Sequence, residues 1–116
     1  MSNLKNAVFI ATFDAIADDV HRNAVEKGWW DGGDRSDGEL IALMHSELSE
    51  ALEALRNNNP PDDKVPAFTG AEVELADCII RIMDTAAARG WRVAEALVEK
   101  AKFNRSRKYR HGGKTM

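Results

Sequence analysis

Two pairs of acidic residues lie within strongly apolar stretches of the chain, and both pairs have the same spacing. They are Glu47-x-x-Glu50 and Glu74-x-x-Asp77, and 23 residues separate them. Positions i and i+3 share one face of a helix, so each pair directs two carboxylates the same way. If the two helices pack antiparallel, four carboxylates converge in one cleft. Buried anions need a counter-charge, and carboxylate oxygens favour Mg²⁺, with Mn²⁺ as a substitute.

The histidines do not suit an iron or zinc site. Di-iron four-helix proteins use Glu-x-x-His on two helices, and the sequence contains no such pair. His45 precedes Glu47 by only two residues, which places it on another helix face. An all-oxygen ligand set favours Mg²⁺ or Mn²⁺, and metal ions of this kind commonly act on phosphates.

Helical spacing of apolar residues predicts the elements that must position these acids. We expect four helices and no strand, which defines an all-α class and a small bundle. The predicted segments are Leu4 to Lys27, a second capped by Ser36 or Asp37 that continues to Arg56 or Asn57, a third that follows Thr69 and stops at Gly90, and Arg92 to Arg107.

The third predicted helix is apolar nearly all round, and we therefore expect it to be the central one. Thr69 is its predicted N-cap, with Glu72 as capping-box partner. A narrow polar stripe on this helix holds Glu74, Asp77, Arg81 and Asp84. We expect Arg81 to pair with the acids, and Asp84 to be a partner of that arginine.

Composition limits the remaining possibilities. The 116 residues are 44% hydrophobic and 30% charged, which is typical of one soluble globular domain spanning residues 1–116. Cys78 is the only cysteine. An intrachain disulfide is therefore excluded, and a reducing, cytoplasmic setting is expected. No apolar run has the length of a membrane span, and no secretory signal is evident.

Charge is distributed unevenly along the chain. The formal net charge is −3, yet from Ala101 onward there are six Lys or Arg residues and no acid. We expect residues from about 108 to form a flexible basic tail. Such a tail near an acidic, metal-loaded cleft suits a polyphosphate ligand. A solvated tail or a weak nucleic-acid patch is the alternative.

Three sequence blocks in order resemble a known superfamily. The first two surround the acidic pairs and read His45-Ser-Glu-Leu-Ser-Glu-Ala-Leu-Glu and Glu74-Leu-Ala-Asp-Cys-Ile-Ile-Arg-Ile-Met-Asp. The third is Lys100-x-x-x-Asn104-x-x-Arg107-x-x-x-His111, followed by Gly-Gly-Lys. Together they resemble the MazG-like all-α nucleoside triphosphate pyrophosphohydrolases over most of the chain.

The resemblance implies a reaction and a metal-ligand set. Glu47, Glu50, Glu74 and Asp77 would hold Mg²⁺. The expected reaction is hydrolysis between the α and β phosphates of a nucleoside triphosphate, giving a monophosphate and pyrophosphate as part of nucleotide-pool housecleaning. Either Glu47 or Glu50 would steer the attacking water.

The resemblance also implies residues that bind the substrate. Lys100 and Arg107 suit phosphate contacts and Asn104 a sugar or base contact, with His111 on the same predicted helix stripe. Trp30, like Trp29, could stack on a base or could be a core lid. Members of the superfamily are typically dimers or larger assemblies whose sites borrow residues across the interface, so a homodimer or homotetramer is expected.

Two other functions compete with this one. A relative that hydrolyses phosphoribosyl-ATP would share the fold and the metal chemistry. A non-enzymatic helical module whose basic tail binds nucleic acid is the second alternative, and salt-sensitive nucleic-acid binding without Mg²⁺ would favour it.

Overall fold

The structure, a computed structural model, describes residues 3–107 and is built from four helices. They are α1 (Asn3–Glu26), α2 (Asp37–Arg56), α3 (Gly70–Arg89) and α4 (Val93–Ser106). The predicted all-α class is confirmed for this range. No helix in it combines the length and apolarity needed to cross a membrane. The predicted basic tail lies outside the described residues.

The helix ends follow local capping rules. The Ser36 hydroxyl accepts a hydrogen bond from the Glu39 backbone N–H at 3.1 Å and begins α2. Thr69 and Glu72 form the predicted capping box at the start of α3. Gly90 ends α3 with a φ of 68°, a left-handed conformation that favours glycine.

The segment between α2 and α3 holds the two helices close together. The Asn59 backbone N–H donates to Ala54 O at 2.7 Å, and its side-chain oxygen accepts from Ala71 N at 2.9 Å. A Cβ added to Gly70 would lie 3.0 Å from the Ala54 Cβ. Since helix separation depends on the side chains at the contact, these small residues let the antiparallel helices approach closely.

Helix α3 packs against both α1 and α2, which confirms its predicted central place. Its apolar surface, however, exceeds what those two helices cover. Leu75 is 49% exposed and Ile79 is 51% exposed. Five of the eight buried apolar residues in the described range are alanines. The single chain therefore buries few large side chains, and burial of large apolar groups is the main source of stability in a core.

Six of the exposed apolar residues on α2 and α3 are together called the α2–α3 apolar face here. Helical periodicity places the α2 members on one side of α2 and the α3 members on one side of α3. All are at least 44% exposed. The members are Ile41, Leu48, Leu52, Leu55, Leu75 and Ile79.

Candidate metal centre

Three carboxylates from α2 and α3 meet where these helices pack. Each of Glu47, Glu50 and Glu74 offers an oxygen, and the three oxygens lie within 4.8 Å of one another. Glu47 is buried, Glu74 is half-buried and Glu50 is exposed. The structure thus brings together three of the four ligands predicted from the sequence, and we call these three residues the acidic cluster.

Asp77, the fourth predicted ligand, lies beside the acidic cluster. It contributes to the raised pKa of Glu74, and its charge also raises the pKa of Glu47. Because Asp77 follows Glu74 by three residues on α3, both carboxylates project from one side of the helix. Asp77 is therefore available to ligate an ion that the cluster holds.

Mutual repulsion and burial raise proton affinity in the cluster. Burial, followed by hydrogen bonds with Glu50 and Asp77, raises the pKa of Glu74 to about 7. Burial and a hydrogen bond with Glu50 also raise the pKa of Glu47, although the Arg81 charge opposes that rise. Near pH 7 Glu74 is therefore partly protonated, and a cation bound there would displace that proton.

The cluster suits a hard divalent cation in both chemistry and size. All of its donors are carboxylate oxygens, the ligands that Mg²⁺ prefers. An octahedral Mg²⁺ site with metal–oxygen distances of about 2.1 Å spans about 4.2 Å between opposite oxygens. Neighbouring oxygens in such a site lie about 3.0 Å apart, so these three carboxylates, whose oxygens lie within 4.8 Å of one another, would move closer together on binding an ion.

The raised pKa of Glu74 predicts that the metal-free protein loses stability as pH rises. The folded group keeps its proton up to about pH 7, whereas the ordinary value is 4.5. The folded state therefore binds more protons than the unfolded state between these values, and stability falls with rising pH. We expect the melting temperature to decrease from pH 5 to pH 8 in chelator.

A Glu74→Gln variant should show a flatter dependence of melting temperature on pH, and saturating Mg²⁺ should flatten it in the wild type. Glu53→Gln is the matched control, because Glu53 lies exposed on the same helix as two cluster members and its carboxylate contacts Arg56 at 3.5 Å and the Asn57 amide at 3.4 Å, outside the cluster. If Glu74→Gln kept the wild-type slope, the titration of Glu74 would not be the cause of the pH dependence.

A cavity of about 560 Å³ adjoins the acidic cluster between α1 and α3. Glu47 of the acidic cluster and the neighbouring Asp77 both line this α1–α3 cavity. A volume of this size is typical of small-molecule sites. Apolar side chains supply part of the wall: Val20, Ala24, Trp29 and Ile80. Polar side chains supply the rest: Asp19, Asn23, Glu47, Asp77, Arg81 and Asp84.

Trp29 is fixed in the cavity wall by two arginines. The guanidinium carbon of Arg35 lies 4.1 Å from the ring centroid, and that of Arg81 lies 4.7 Å from it. Arg35 also donates two hydrogen bonds to the Trp29 carbonyl oxygen, at 2.9 and 3.3 Å. These cation–π and backbone contacts give the wall a defined shape.

Asp84 anchors the segment between α1 and α2, which corrects the prediction that it pairs with Arg81. One Asp84 oxygen lies 2.6 Å from His21 Nδ1. The Trp30 indole N–H donates to both Asp84 oxygens, at 3.1 and 3.2 Å. Asp84 is buried, so it requires such partners. The Trp30 N–H is thus occupied, and Trp29 is the tryptophan that lines the α1–α3 cavity.

Arg89 fastens the other end of the same segment to α3. Its guanidinium donates to Asp34 at 2.8 Å, to Asp37 at 2.9 Å and to the Arg35 carbonyl oxygen. The Arg89 charge holds the pKa of Asp34 below its ordinary value. Residues 27–36 are therefore held in place by contacts with α3 residues that are distant in the sequence.

Arg81 faces the acidic cluster from α3, as the sequence predicts. Its Nε lies 3.5 Å from a Glu47 carboxylate oxygen. That Nε is buried and has no hydrogen-bond partner within residues 3–107. The contact is therefore an ion pair at a distance too long for a well-formed hydrogen bond.

The predicted substrate-binding residues of the third block lie apart from the cluster. Helix α4 packs chiefly on α1, and no ion pair or hydrogen bond within residues 3–107 joins α4 to the acidic cluster. Lys100 Nζ lies 4.8 Å from the centroid of the exposed Phe103 ring, and the Arg107 guanidinium carbon lies 5.6 Å from it. Asn104 is exposed, and Arg107 is the extended C-cap of α4. His111 lies outside the described residues.

Several cavity residues were not predicted from the sequence. Asp19 and Asn23 are four residues apart on α1 and line the α1–α3 cavity with Trp29. Their i, i+4 spacing marks one helix face, but polar residues at that spacing are also typical of a solvated surface. Comparisons with known proteins assign no family or function to this chain. The chain matches no protein-family model, no curated protein and no solved structure.

Proposed function

We propose that this chain is a Mg²⁺-dependent nucleoside triphosphate pyrophosphohydrolase similar to the MazG-like superfamily. The reaction is hydrolysis of a ribo- or deoxyribonucleoside triphosphate between its α and β phosphates. The products are a nucleoside monophosphate and pyrophosphate.

One observation carries this proposal: carboxylates suited to a divalent cation also line a nucleotide-sized cavity. The three oxygens of the acidic cluster lie within 4.8 Å of one another, and Glu47 and Asp77 line the α1–α3 cavity of about 560 Å³. Phosphoryl transfer depends mainly on positioning and charge neutralisation. A cation site beside a cavity with both apolar and polar walls would provide both.

In the proposed mechanism Glu47, Glu50, Glu74 and Asp77 bind the cation. The bound cation supplies charge neutralisation at the phosphates and lowers the pKa of water. Either Glu47 or Glu50 orients the attacking water and accepts its proton. As the water oxygen bonds to phosphorus, the bridging P–O bond between the α and β phosphates breaks and pyrophosphate leaves.

The α1–α3 cavity is the proposed site for the nucleoside. Trp29 and Ile80 offer apolar surface to a base. The Asn23 amide and the Asp19 carboxylate offer hydrogen-bond donors and acceptors. This set leaves the identity of the base to experiment.

A homo-oligomer is part of the proposal. The α2–α3 apolar face is too large and too exposed to suit a solvated helix pair, and a second copy would cover it. The superfamily resemblance implies sites that borrow residues across the interface. Lys100, Asn104 and Arg107 could then contact a nucleotide bound by another protomer.

The experiment is a product assay over a panel of nucleotides. Deoxy- and ribonucleoside triphosphates and phosphoribosyl-ATP are incubated with the protein and Mg²⁺, and the products are separated by ion-exchange chromatography. We expect monophosphate and pyrophosphate from at least one triphosphate. A diphosphate product, hydrolysis of phosphoribosyl-ATP alone, or nucleic-acid binding without hydrolysis would each contradict the proposal.

The ligand chemistry predicts which metals support turnover. Chelator should abolish hydrolysis, and Mg²⁺ or Mn²⁺ should restore it. Ca²⁺ should bind without supporting turnover, because it accepts looser coordination than Mg²⁺. The check is the initial rate in metal-stripped protein after adding each metal alone. Restoration by Zn²⁺ or iron alone would contradict the oxygen-ligand argument.

Arg107 should contribute a phosphate contact in the reaction. We expect Arg107→Ala to cost about 2–4 kcal/mol in kcat/KM, the range for losing a transition-state charge contact. Arg107→Lys should already lower the rate, because Lys lacks the bidentate guanidinium. Arg105→Ala, which removes the same charge two residues earlier on an exposed helix end, is the control. Equal rates for the two alanine variants would remove Arg107 from the site.

A further inference from the structure

The Arg81 guanidinium occupies an unusual position between the cation site and the cavity. Its side chain is 27% exposed, and the Glu47 side chain with which it pairs is 10% exposed. Arg81 lines the α1–α3 cavity together with Glu47 and Asp77. Arg81 is thus the cationic residue among the described residues that line this cavity, and it lies next to the Glu47 carboxylate.

The pairing of Arg81 with Glu47 is incomplete. The Nε–carboxylate distance is 3.5 Å, and the buried Nε has no hydrogen-bond partner. A guanidinium carries five N–H donors, and a buried donor without a partner destabilises the state that contains it. Among the described residues the Arg81 Nε donor is therefore unused, while the side chain as a whole keeps 27% of its surface exposed beside the cavity.

A divalent cation and Arg81 compete for the same carboxylate. Glu47 is one of the three cluster residues whose oxygens converge, and two cations near one carboxylate repel each other. When a metal takes Glu47, Arg81 loses its charge partner. The Trp29 ring, 4.7 Å from the Arg81 guanidinium carbon, still holds the guanidinium in the cavity wall through a cation–π contact.

We infer that Arg81 is an anion-binding residue of the α1–α3 cavity, masked by Glu47 until a divalent cation binds Glu47. Its ligand is a phosphate-bearing anion, because a guanidinium matches phosphate oxygens in bidentate geometry. Cation binding and anion binding are thereby coupled through one side chain. This inference rests on the proposed function for its metal and for its phosphate ligand.

Removing the Arg81 charge should change the two affinities in opposite directions. We expect Arg81→Gln to bind Mn²⁺ roughly tenfold more tightly, because the competing charge next to Glu47 is gone. The same variant should bind magnesium pyrophosphate roughly tenfold more weakly, because a charged phosphate contact is lost. A purely structural role would weaken both affinities together.

The experiment measures Mn²⁺ binding by electron paramagnetic resonance and magnesium pyrophosphate binding by calorimetry. Arg81→Lys is the second variant and should keep Mn²⁺ affinity within about twofold while weakening pyrophosphate binding, because it keeps the charge without the planar fork. Arg56→Gln is the control for net charge, since Arg56 is exposed on α2 and pairs with Glu53. It should change neither affinity.

Unchanged or weaker Mn²⁺ binding in Arg81→Gln would overturn the competition, and unchanged pyrophosphate binding in that variant would overturn the anion role. If Arg81→Gln does not fold, unchanged pyrophosphate binding in Arg81→Lys overturns the inference instead. Triphosphate hydrolysis by the wild type is assayed separately. Opposite affinity changes in Arg81→Gln without any wild-type hydrolysis would refute the proposed function and leave this inference standing. Wild-type hydrolysis with unchanged affinities in Arg81→Gln would refute this inference and leave the proposed function standing.

Discussion

Replacing Glu50 by Gln, or Asp77 by Asn, should reduce pyrophosphate release on the order of 10³-fold and leave the helices folded. Each substitution keeps side-chain volume but removes one anionic ligand. Loss of a group that stabilises transition-state charge typically lowers kcat about 10²- to 10³-fold. Binding of the proposed cation would be weakened as well. The check is the rate of pyrophosphate release at saturating Mg²⁺, together with circular dichroism.

The fold provides a matched control for these two substitutions. Glu53 is on the same helix as Glu50, but it is exposed and paired with Arg56. Glu53→Gln should therefore retain wild-type activity. Near-normal turnover in Glu50→Gln or Asp77→Asn would remove that residue from the catalytic set, whereas lost turnover in Glu53→Gln would indicate a general charge effect.

Charged substitutions on the α2–α3 apolar face should dissociate the proposed oligomer. Ile79 is 51% exposed and Leu52 is 51% exposed in the single chain. If a second copy covers them, Ile79→Glu or Leu52→Lys would bury an unpaired charge, which costs about 3–5 kcal/mol per site. In a two-fold dimer the cost arises twice. Light scattering coupled to size exclusion should then report a monomer.

Leu4 is the control for the apolar-face substitutions, because it is 75% exposed on the first turn of α1, away from that face. Leu4→Lys should leave the mass unchanged. A monomeric wild type, or an Ile79→Glu protein with the wild-type mass, would contradict coverage of this face by a second copy. A single chain with so few large buried side chains would then need another source of stability.

Local sequence rules predicted the helix boundaries closely. Ser36, Thr69 and Gly90 act at their predicted caps, because capping depends on backbone groups within a few residues. The i, i+3 spacing of the acids was likewise enough to predict that Glu47, Glu50 and Glu74 converge, once the two helices pack antiparallel. Helix periodicity carries that information without reference to the rest of the fold.

Contacts between distant segments were not predictable in the same way. Asp84 lies on the polar stripe of α3, yet its partners are His21 and Trp30, which are both more than 50 positions away in the sequence. The place of Trp29 depends on Arg35 and Arg81. Such contacts are set by how α1 packs on α3 and by the conformation of residues 27–36, which a single sequence does not specify.

The most direct test of the metal centre is anomalous diffraction from crystals of the protein grown with Mn²⁺. We expect an anomalous peak bonded to carboxylate oxygens of Glu47, Glu50 and Glu74 at about 2.0–2.3 Å, with Asp77 as a ligand of the same ion or of a second one. Crystals that contain Mn²⁺ elsewhere but none between α2 and α3 would contradict the central claim that these acids form a divalent-cation site.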